Sequence, residues 1–576
     1  MVSFKIAYSD VLSFLNLDPN TSIEKLDDLF SYAKCEIEEY DLDDDYLKVD
    51  CKTSNRPDIW SCEGLVREVS GIIGFHKGLP DLSAEPSGYM IEVDPRLKTI
   101  RPYIACSIVK GVHFTDFLIK QLIQLQEKVD FSYGRRRRRS SIGIYNLHPL
   151  ESPIYYKLIP RSSSFVPLGY YEEMTLEEIL ERHEKGIEYG HILPSKGDLP
   201  ILQDVNGMTL SMPPIINSND VGRVTEETTD VLVEVTGTNL EVVQVVTLIV
   251  TQALRDRGGE VYSVEVNYPE NHGDAPRKII TPDSELKTME IDPKDINRYL
   301  DTNLTSSEII ELLEKRRLKG SKKKKTTKLL VEYPAYRQDL LHWVDIAEET
   351  AIAYGYMNFK PTELKFNTVG RLSPRTISEN NIREILSSCA LQEILTYTLT
   401  APEKLTTLMG YDERELSSCI RVANPVSLNY SVLRHRLLPG MLDFLAKNTH
   451  NEYPQYLFEI GEATFVSGET VQTISKTAVT LAGTNASFEY CHSILDTLFQ
   501  QLGTNYELIP AISSEFIEGR TADILIEKEK IGMIGEVSPS LLENWQIFVP
   551  VTALEIDLSL IPTLELPPLL SFDPAK

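Results

Sequence analysis

The sequence is poor in cysteine, and its cysteines are not arranged in pairs. Only seven of the 576 residues are cysteine, an odd number, and no two of them have the C-x-x-C spacing. Small proteins that depend on disulfides have dense, evenly counted cysteines, so this chain is not a disulfide scaffold. We expect free thiols in a reducing compartment.

Long apolar runs are also missing. The stretch 242–254 is uncharged and largely apolar but only 13 residues long, whereas a membrane-spanning helix needs about 20 apolar residues. The first residues, 1–5, lack the apolar core of a signal peptide. We therefore expect a cytoplasmic protein with no membrane association.

Positive charge is scarce overall. The chain has 58 Lys and Arg against 85 Asp and Glu, a net charge of −27, which excludes a simple nucleic-acid coat protein because such proteins are basic. Any contact with RNA must come from local basic patches or from a partner. The sequence also lacks G-x-x-x-x-G-K-[ST], G-x-G-x-x-G, H-E-x-x-H and G-x-S-x-G motifs, so several large enzyme classes are excluded.

What remains is an ordinary globular composition, 42% hydrophobic and 25% charged, in a chain long enough for about three to five domains. Alternating strand-like and helix-like segments predict a multidomain α+β protein. We divide it into an N-terminal α/β domain at 1–84, a second α/β domain at 85–275, a winged-helix-like domain at 276–360 and a last large domain at 361–576. The tail, 561–576, is proline-rich and expected to be loose.

Several local elements can be predicted from turn residues and periodicity. Asn206-Gly207 lies between two apolar runs and predicts a β-hairpin with both turn residues at positive φ. Gly258-Gly259 should end a helix at 240–257 that follows a strand at 230–236. Further elements are predicted as helices at 175–186, 339–354 and 431–449 and as a strand at 393–399.

Four carboxylates are spaced for a shared site. Asp345, Glu348 and Glu349 have the i, i+3, i+4 spacing of one helix face, and Asp339 lies six residues before them. Like charges at this spacing destabilise a helix, and a bound cation would reverse that effect. Hard oxygen ligands favour Mg²⁺ or Ca²⁺ over Zn²⁺. An alternative stays open, in which the acidic first turn favours the helix dipole and pairs with Arg or Lys.

A second candidate site lies between 199 and 236. The predicted hairpin faces a strand, and Ser211, Asn217, Glu234 and Thr236 there could position a water or a substrate hydroxyl. No nucleophile–base pair is present, so any chemistry would be hydrolysis by an oriented water. The alternative is an ordinary edge of an α/β core.

Two basic runs interrupt the acidic chain. Residues 135–139 are five consecutive arginines, and 315–328 contains nine Lys and Arg. Either run could neutralise the phosphates of an RNA, or it could be a solvated loop that pairs with the protein's own acidic surface. Arg434, near a predicted helix start, could bind phosphate or carboxylate, but a structural ion pair is the alternative.

These motifs together resemble those of one family along nearly the whole chain. Five groups of residues carry the resemblance: Thr53-Ser54-Asn55-Arg56-Pro57-Asp58 with Ser61-Cys62-Glu63-Gly64-Leu65-Val66-Arg67-Glu68; 202–207 with 213–217 and 233–238; Arg337, Asp339, Asp345, Glu348 and Glu349 followed by Tyr354-Gly355-Tyr356; 424–425, 433–434 and 438–440 with 457–461; and 534–539. The family is the beta subunit of phenylalanyl-tRNA synthetase of the archaeal and eukaryotic type.

The resemblance implies a fold and an assembly. The second domain would be an editing domain, and the C-terminal domain would have a class II synthetase-like antiparallel sheet without an active aminoacylation site. The expected partners are an alpha subunit, in a tetramer of two alpha and two beta chains, and the tRNA for phenylalanine. ATP would be a substrate of the holoenzyme at the alpha subunit's site.

The resemblance also implies site residues. Leu202, Ser211, Glu234 and Thr236 fall where the editing pocket is lined, with Glu234 hydrogen-bonding the hydroxyl or amine of a wrongly attached tyrosine. Asp339, Asp345, Glu348 and Glu349 fall on Mg²⁺ ligands shared at the interface with alpha. The basic insert at 319–325 is a departure from the family pattern.

Three functional hypotheses follow. The first is a ligase subunit that supports the alpha chain and hydrolyses mischarged tyrosyl-tRNA. The second is a non-enzymatic RNA-binding or scaffolding protein that keeps the fold and lacks editing. The third is a stand-alone aminoacyl ester hydrolase.

Overall fold

The structure, a computed structural model, describes residues 2–53, 55–363 and 368–561. It forms two compact units, Met1–Thr362 and Glu363–Lys576. Both contain helices and β-sheets, so the chain is a multidomain protein of mixed α and β structure. The predicted loose tail lies outside the described residues beyond Ile561.

The first unit begins with a small antiparallel sheet. Its strands are Val2–Ala7, Tyr46–Cys51 and Cys35–Asp41, in that spatial order. Buried apolar side chains such as Phe4, Leu47 and Val49 alternate along the strands and face the core. Helices Tyr8–Leu15, Ile23–Ser31 and Cys62–Ile72 pack beside them.

A ten-stranded mixed sheet makes up the middle of the first unit. Across the sheet the strands are Ile216–Asn217, Thr209–Met212, Leu199–Gln203, Ile154–Ile159, Glu85–Val93, Glu260–Asn267, Tyr103–Lys110, Val231–Gly237 and Ser140–Asn146, with Lys278–Thr281 beside Glu260–Asn267. Helices Asp116–Phe131, Leu176–Arg182, Glu184–Tyr189 and Leu240–Asp256 belong to the same part of the chain, as do the short strands Ser164–Phe165 and Met174–Thr175.

The ends of this sheet approach each other. Tyr145 lies on the last strand at one end, and Ser211 lies on the second strand from the other end. The phenolic oxygen of Tyr145 is nevertheless 2.8 Å from Oγ of Ser211. The sheet is therefore strongly curled, as the right-handed twist of strands permits, and its two ends enclose the space between them.

The last part of the first unit has the predicted short helices and basic hairpin. Strands Lys287–Ile291, Leu329–Tyr333 and Lys319–Lys322 form a three-stranded sheet in that order. Helices Pro293–Leu300, Ser306–Lys315 and Trp343–Tyr354 complete it. Ile296, Leu313 and Ile346, one from each helix, are fully buried in one apolar cluster with the sheet.

The second unit is a seven-stranded sheet with helices on both faces. In order, its strands are Gln392–Glu393, Gln455–Ser467, Thr470–Ala482, Val551–Asp557, Glu529–Val537, Phe516–Ile526 and Glu507–Pro510, all antiparallel except the first pair. A small two-stranded ladder pairs Leu399–Thr400 with Val432–Leu433. The helices are Pro374–Ser388, Pro402–Leu405, Leu438–Lys447, Phe488–Leu502 and Pro539–Asn544. Neighbouring residues such as Leu457 and Phe458 belong to different apolar clusters, as expected for opposite faces of a sheet.

Several predicted elements are confirmed and others are wrong. The hairpin after Gln203 forms, but only Gly207 has positive φ, because Oδ1 of Asp204 accepts the backbone N–H groups of Asn206 and Met208 and holds a wider turn. The helix predicted at 175–186 is broken at His183, which has extended backbone and caps the second half.

Three other predictions fail for physical reasons. The helix predicted at 431–449 is only Leu438–Lys447, because Pro439 occupies its first turn and starts the helix rather than interrupting it. The strand predicted at 393–399 pairs only at its ends, while Leu395 and Tyr397 between them are exposed. The helix predicted at 339–354 ends at Tyr354 as predicted but begins only at Trp343, because His342 has extended backbone and caps the helix.

Candidate functional site

The curled sheet encloses a cavity of about 110 Å³ that we call the Glu234 pocket. Its polar lining consists of Arg137, Ser141, Ser211, Asn217 and Glu234. These residues come from three separate segments of the chain, which the two ends of the sheet bring together.

The strand Val231–Gly237 is buried along its whole length and places Glu234 in the pocket. Glu234 and Thr236 are two residues apart and so project from the same face of the sheet. On the adjacent strand they are opposite Gly143 and Ser141 respectively. A charged residue in the middle of such a strand is unusual and points to a role other than packing.

One oxygen of Glu234 is held and the other is free to accept a ligand. Oε2 lies 2.8 Å from the hydroxyl of Tyr145, which is also 2.8 Å from Oγ of Ser211. Oε1 is buried and finds no hydrogen-bond partner among the residues that the structure describes. A buried acceptor without a partner is costly to the fold, so this oxygen is the strongest mark of a binding site in the pocket.

Burial raises the pKa of Glu234 to about 7, although the hydrogen bond from Tyr145 and the charge of Arg101 lower it. The carboxyl group can therefore gain or lose a proton near neutral pH. Groups with pKa values shifted in this way are concentrated at functional sites.

Gly143 keeps the space around this carboxylate open. A Cβ atom at Gly143 would collide with the hydroxyl of Tyr145 and with Oε2 of Glu234. Tyr145 reaches diagonally past this glycine to meet Glu234, a distance that aromatic side chains can span on one face of a sheet. The pocket thus depends on a glycine and a tyrosine that belong to none of the sequence motifs.

A buried arginine supports the pocket from behind. Arg101 donates from Nε to Oγ1 of Thr236 at 2.9 Å and from Nη2 to Oγ of Ser141 at 2.9 Å. It also donates to the carbonyl oxygen of Arg137 at 3.0 Å. Thr236 is therefore held by Arg101 behind the pocket. Leu202 is fully buried in the adjoining apolar core, opposite Ser211.

The four predicted editing residues thus occupy two layers. Ser211 and Glu234 line the pocket, whereas Leu202 and Thr236 lie behind it. Their roles stay predictions. The sequence signal that could have revealed Ser141, Gly143 and Tyr145 is their alternation with apolar residues in the strand Ser140–Asn146.

The four predicted metal ligands, Asp339, Asp345, Glu348 and Glu349, also come together. They line a second cavity, of about 60 Å³, which we call the carboxylate cavity. Lys34, Thr53 and Arg56 contribute to the same lining. The shared helix face and the preceding loop bring the four carboxylates together, as their spacing suggests.

Arginines hold two of these carboxylates. Arg337 donates two hydrogen bonds to Asp339, at 3.0 and 2.8 Å, and forms an ion pair with Glu349 at 2.9 Å. Arg316 donates from Nε to Glu349 at 2.7 Å. Burial opposes ionisation of Glu349, but the charges of Arg316 and Arg337 hold its pKa well below the usual range.

The other two carboxylates are less constrained. Oδ2 of Asp345 accepts the backbone N–H groups of Leu341 and His342, both at 2.7 Å, and so caps the helix start. Glu348 is half-exposed and pairs with Lys34 at 2.6 Å.

This arrangement is the one that the ion-pair interpretation predicts. Within residues 2–53, 55–363 and 368–561, no group of three or more His, Cys, Asp or Glu side chains is arranged to hold a metal ion. The set does not fit a metal on its own as it stands, because two of its members already neutralise arginines. The magnesium assignment stays a prediction.

The ion pairs extend into what we call the arginine–carboxylate network. Glu68 pairs with both Arg56, at 2.9 Å, and Arg316, at 2.6 Å, and Arg316 continues to Glu349. These side chains are almost completely buried. Buried charges need partners of this kind because solvent does not neutralise them.

Comparison with known proteins places the chain in a family. Residues 289–356 match the model of the tRNA synthetase B5 domain, and residues 360–558 match that of the phenylalanyl tRNA synthetase beta chain CLM domain. A phenylalanine–tRNA ligase beta subunit of Pyrococcus furiosus is 43% identical over 562 residues, covering 96% of this chain and 99% of the relative. The chain belongs to the family of phenylalanine–tRNA ligase beta subunits.

Other beta subunits and one solved structure agree with this assignment. The relative from Methanococcoides burtonii is 34% identical over 558 residues, covering 96% of this chain and 99% of its own. An N-terminal fragment of the Pyrococcus horikoshii beta subunit has a TM-score of 0.58 at 42% identity and covers 62% of this chain and 100% of the fragment. The family resemblance seen in the motifs is confirmed.

In this beta-subunit chain the arginine run has an unusual backbone. Arg135, Arg136 and Arg137 all have positive φ, from 51° to 62°, a conformation that costs about 1–2 kcal/mol for each non-glycine residue. The turn directs Arg137 inward, where it donates to the carbonyl oxygens of Pro214 and Ile215 and lies over the ring of Tyr189. Arg135, Arg136 and Arg138 remain exposed.

The remaining sequence candidates have ordinary structural partners. Lys319 pairs with Glu332 and Lys323 with Glu290, so part of the lysine run neutralises the protein's own acidic groups. Arg434 is buried and forms an ion pair with Glu459 at 2.6 Å. In the described part of the chain, every helix is too short or too polar to cross a bilayer.

Proposed function

We propose that this chain is the beta subunit of a phenylalanine–tRNA ligase that supports an alpha subunit and edits its errors. The observation that supports the first part is similarity over 96% of the chain to proteins named as that subunit. The alpha chain would activate phenylalanine with ATP and load the tRNA. This division agrees with the lack of nucleotide-binding motifs in the sequence.

The editing proposal rests on the free oxygen of Glu234 at the pocket between the two ends of the sheet. A site that binds a phenyl ring rejects an added hydroxyl only modestly, so a second site must remove tyrosine. Oε1 of Glu234 would accept the phenolic hydrogen of tyrosine, and phenylalanine would leave it unpaired. A buried group left unpaired costs about 1–3 kcal/mol, which gives the discrimination.

The chemistry would be attack of water on the ester that joins tyrosine to the tRNA. Ser211 and Asn217 line the same pocket and carry groups that can orient a water or the substrate's amine and carbonyl. Arg101 and Tyr145 would hold the strands in place.

Deacylation of tyrosyl-tRNA of the phenylalanine type by the complete enzyme tests this proposal. The wild-type holoenzyme should hydrolyse it, and Glu234→Ala should abolish discrimination against tyrosine while charging of phenylalanine continues. If the wild type does not deacylate and the variant behaves identically, the chain is a non-enzymatic RNA-binding scaffold instead.

Assembly has its own test. Co-purification with an alpha chain, followed by mass measurement in solution, should give two alpha and two beta chains. If this chain alone forms a stable, active monomer or makes aminoacyl-adenylate from ATP, the proposed division of labour is wrong. We propose a cytoplasmic location because all seven cysteines are free thiols.

Magnesium binding is a separate proposal that requires the alpha chain. Asp345 and Glu348 lie at the carboxylate cavity, and in the described part of the chain neither of them pairs with an arginine. The alpha subunit would have to supply the missing ligand. Asp345→Ala should then reduce the metal content of the purified holoenzyme. If the Asp345→Ala holoenzyme retains full metal content, this ligand assignment is wrong.

A further inference from the structure

Two cysteine side chains face each other inside the N-terminal sheet. Cys35 begins the strand Cys35–Asp41, and Cys51 ends the adjacent strand Tyr46–Cys51. The two residues are directly opposite in the antiparallel register. Both are buried, with 3% and 0% of their surfaces exposed.

The position of the pair in the ladder suits a covalent link. The backbone N–H of Lys52 donates to the carbonyl of Lys34 at 3.0 Å, so the Lys34–Lys52 pair is hydrogen-bonded. Cys35 and Cys51 therefore occupy the next, non-hydrogen-bonded position, where Cα atoms are about 4.5 Å apart and side chains are closest. Disulfides join Cα atoms about 4.4–6.8 Å apart, so a bond there needs little backbone movement.

The two thiols have unequal surroundings. Sγ of Cys51 lies 3.3 Å from the hydroxyl of Thr53, and Sγ of Cys35 contacts the carbonyl of Ala33 at 3.5 Å. The hydrogen bond from the Cys35 thiol lowers the pKa of Cys51 to about 6, with further contributions from Thr53 and Arg56. The same interaction, together with burial, raises the pKa of Cys35.

We propose that Cys35 and Cys51 are a peroxide-oxidisable pair that closes to a cross-strand disulfide. The Cys51 thiolate attacks one oxygen of hydrogen peroxide, the O–O bond breaks, and the products are a sulfenic acid and a hydroxide that takes up a proton to become water. The Cys35 sulfur then attacks the Cys51 sulfur, the S–O bond breaks, and the departing hydroxide leaves as water with the proton of Cys35. Two thiols are oxidised and one peroxide is reduced to two waters.

The pair is adjacent to the carboxylate cavity. Ala33, Lys34 and Thr53, which flank the two cysteines in sequence, line that cavity, and Lys34 pairs with Glu348 there. Formation of the disulfide would therefore shift Lys34 and, with it, one side of the carboxylate cavity.

Peptide mapping of the full-length chain tests the proposal. The reduced protein is treated with hydrogen peroxide, denatured, alkylated and digested without reductant. Two of the seven free thiols should be lost, and the peptides containing Cys35 and Cys51 should be recovered as one disulfide-linked species that dithiothreitol separates. Cys106, which is fully buried and has a pKa raised well above normal by that burial, should remain alkylatable at the same peroxide dose.

Either of two results in the wild-type protein would overturn the proposal. One is that Cys35 and Cys51 both remain alkylatable after denaturation, and the other is that Cys51 becomes sulfinic acid while Cys35 stays reduced. Because the wild-type protein decides these outcomes, the test does not depend on the folding of any variant.

A variant adds a second readout. In Cys35→Ser the sulfenic acid of Cys51 has no thiol to resolve it and should be trapped by dimedone, whereas the wild type should show little adduct. Cys389→Ser, which removes a partly exposed thiol elsewhere, should leave the yield of disulfide unchanged. Equal dimedone labelling of the wild type and Cys35→Ser would contradict the proposed resolving role of Cys35.

Discussion

The phenolic oxygen of Tyr145 lies 2.8 Å from Oε2 of Glu234, on the neighbouring strand of the curled sheet. This contact fixes one oxygen of the carboxylate, while the other is buried and has no hydrogen-bond partner among the described residues. It also lowers the pKa of Glu234 against the effect of burial. The tyrosine therefore sets both the orientation and the charge of the residue on which the editing proposal depends.

Removing the tyrosine hydroxyl should change the pH dependence of editing. In Tyr145→Phe the carboxylate loses a donor, so the pKa of Glu234 should rise above about 7. We expect the deacylation rate of tyrosyl-tRNA to reach its midpoint at a higher pH than in the wild type. Tyr268→Phe removes another buried hydroxyl, bonded to the carbonyl of Ile104, and should leave the profile in place. Identical pH profiles for Tyr145→Phe and the wild type would show that ionisation of Glu234 does not control the rate of editing.

A single methyl group should close the pocket. The added Cβ of Gly143→Ala would occupy the space of the Tyr145 hydroxyl and the Glu234 carboxylate, and overpacking of this kind typically costs about 1–3 kcal/mol. Deacylation should fall sharply while phenylalanine charging by the holoenzyme persists. Gly370→Ala, where no heavy atom lies within 4 Å of the new Cβ, is the matched control. Full editing by Gly143→Ala would show that the pocket is not the site.

Breaking the arginine–carboxylate network should destabilise the first unit. In Glu349→Gln, Arg316 and Arg337 lose a buried charge partner, and such losses cost about 3–5 kcal/mol. Urea unfolding with a chelator present measures the change without any metal contribution. Glu348→Gln, its half-exposed neighbour, should cost about 1 kcal/mol or less. Equal effects of the two substitutions would contradict the network's role.

The contribution of Glu234 to stability should fall as the pH rises from about 4.5 to about 7. Burial raises the pKa of Glu234 from 4.5 and that of Asp130 from 3.8, each to about 7, so the folded state holds protons that the unfolded state has already released. The stability due to protonated Glu234 is present below about pH 4.5 and lost by about pH 7. At about 1.4 kcal/mol per pKa unit, the loss from Glu234 is on the order of 3 kcal/mol.

Comparison of wild type and Glu234→Gln isolates this effect. Urea unfolding between pH 5 and pH 8 should show a shallower decline in the variant, because its side chain does not titrate. Parallel curves would mean that Glu234 is ionised in the folded protein throughout this range.

Local sequence signals predicted much of the fold around the site. The glycine turn and the apolar run before it specify the strand Val231–Gly237 and the helix Leu240–Asp256 within one residue at each end. The spacing of Asp345, Glu348 and Glu349 placed them together correctly. These features depend on residues close in sequence, where turn geometry and helical periodicity act directly.

Contacts between distant residues could not be predicted in this way. Arg101 reaches Thr236 across 135 positions of sequence, and Tyr145 reaches Ser211 across 66. Nothing near Arg101 marks it as buried, since its partners become neighbours only when the sheet curls. The same holds for Glu349, which the sequence allows to be either a metal ligand or an ion-pair partner. Only the positions of Arg316 and Arg337 in space show that it forms ion pairs.

The arginine–carboxylate network has a consequence for how the first unit can be dissected. It joins Arg56 and Glu68, near the N-terminal sheet, to Arg316 and Glu349, on either side of the basic hairpin. A truncation anywhere between residues 68 and 316 would break the buried pair between Glu68 and Arg316, so neither piece would keep the parent's stability. The N-terminal segment and the B5 segment are therefore expected to unfold in one transition. In chimeras with a related beta subunit, the two segments should have to be exchanged together.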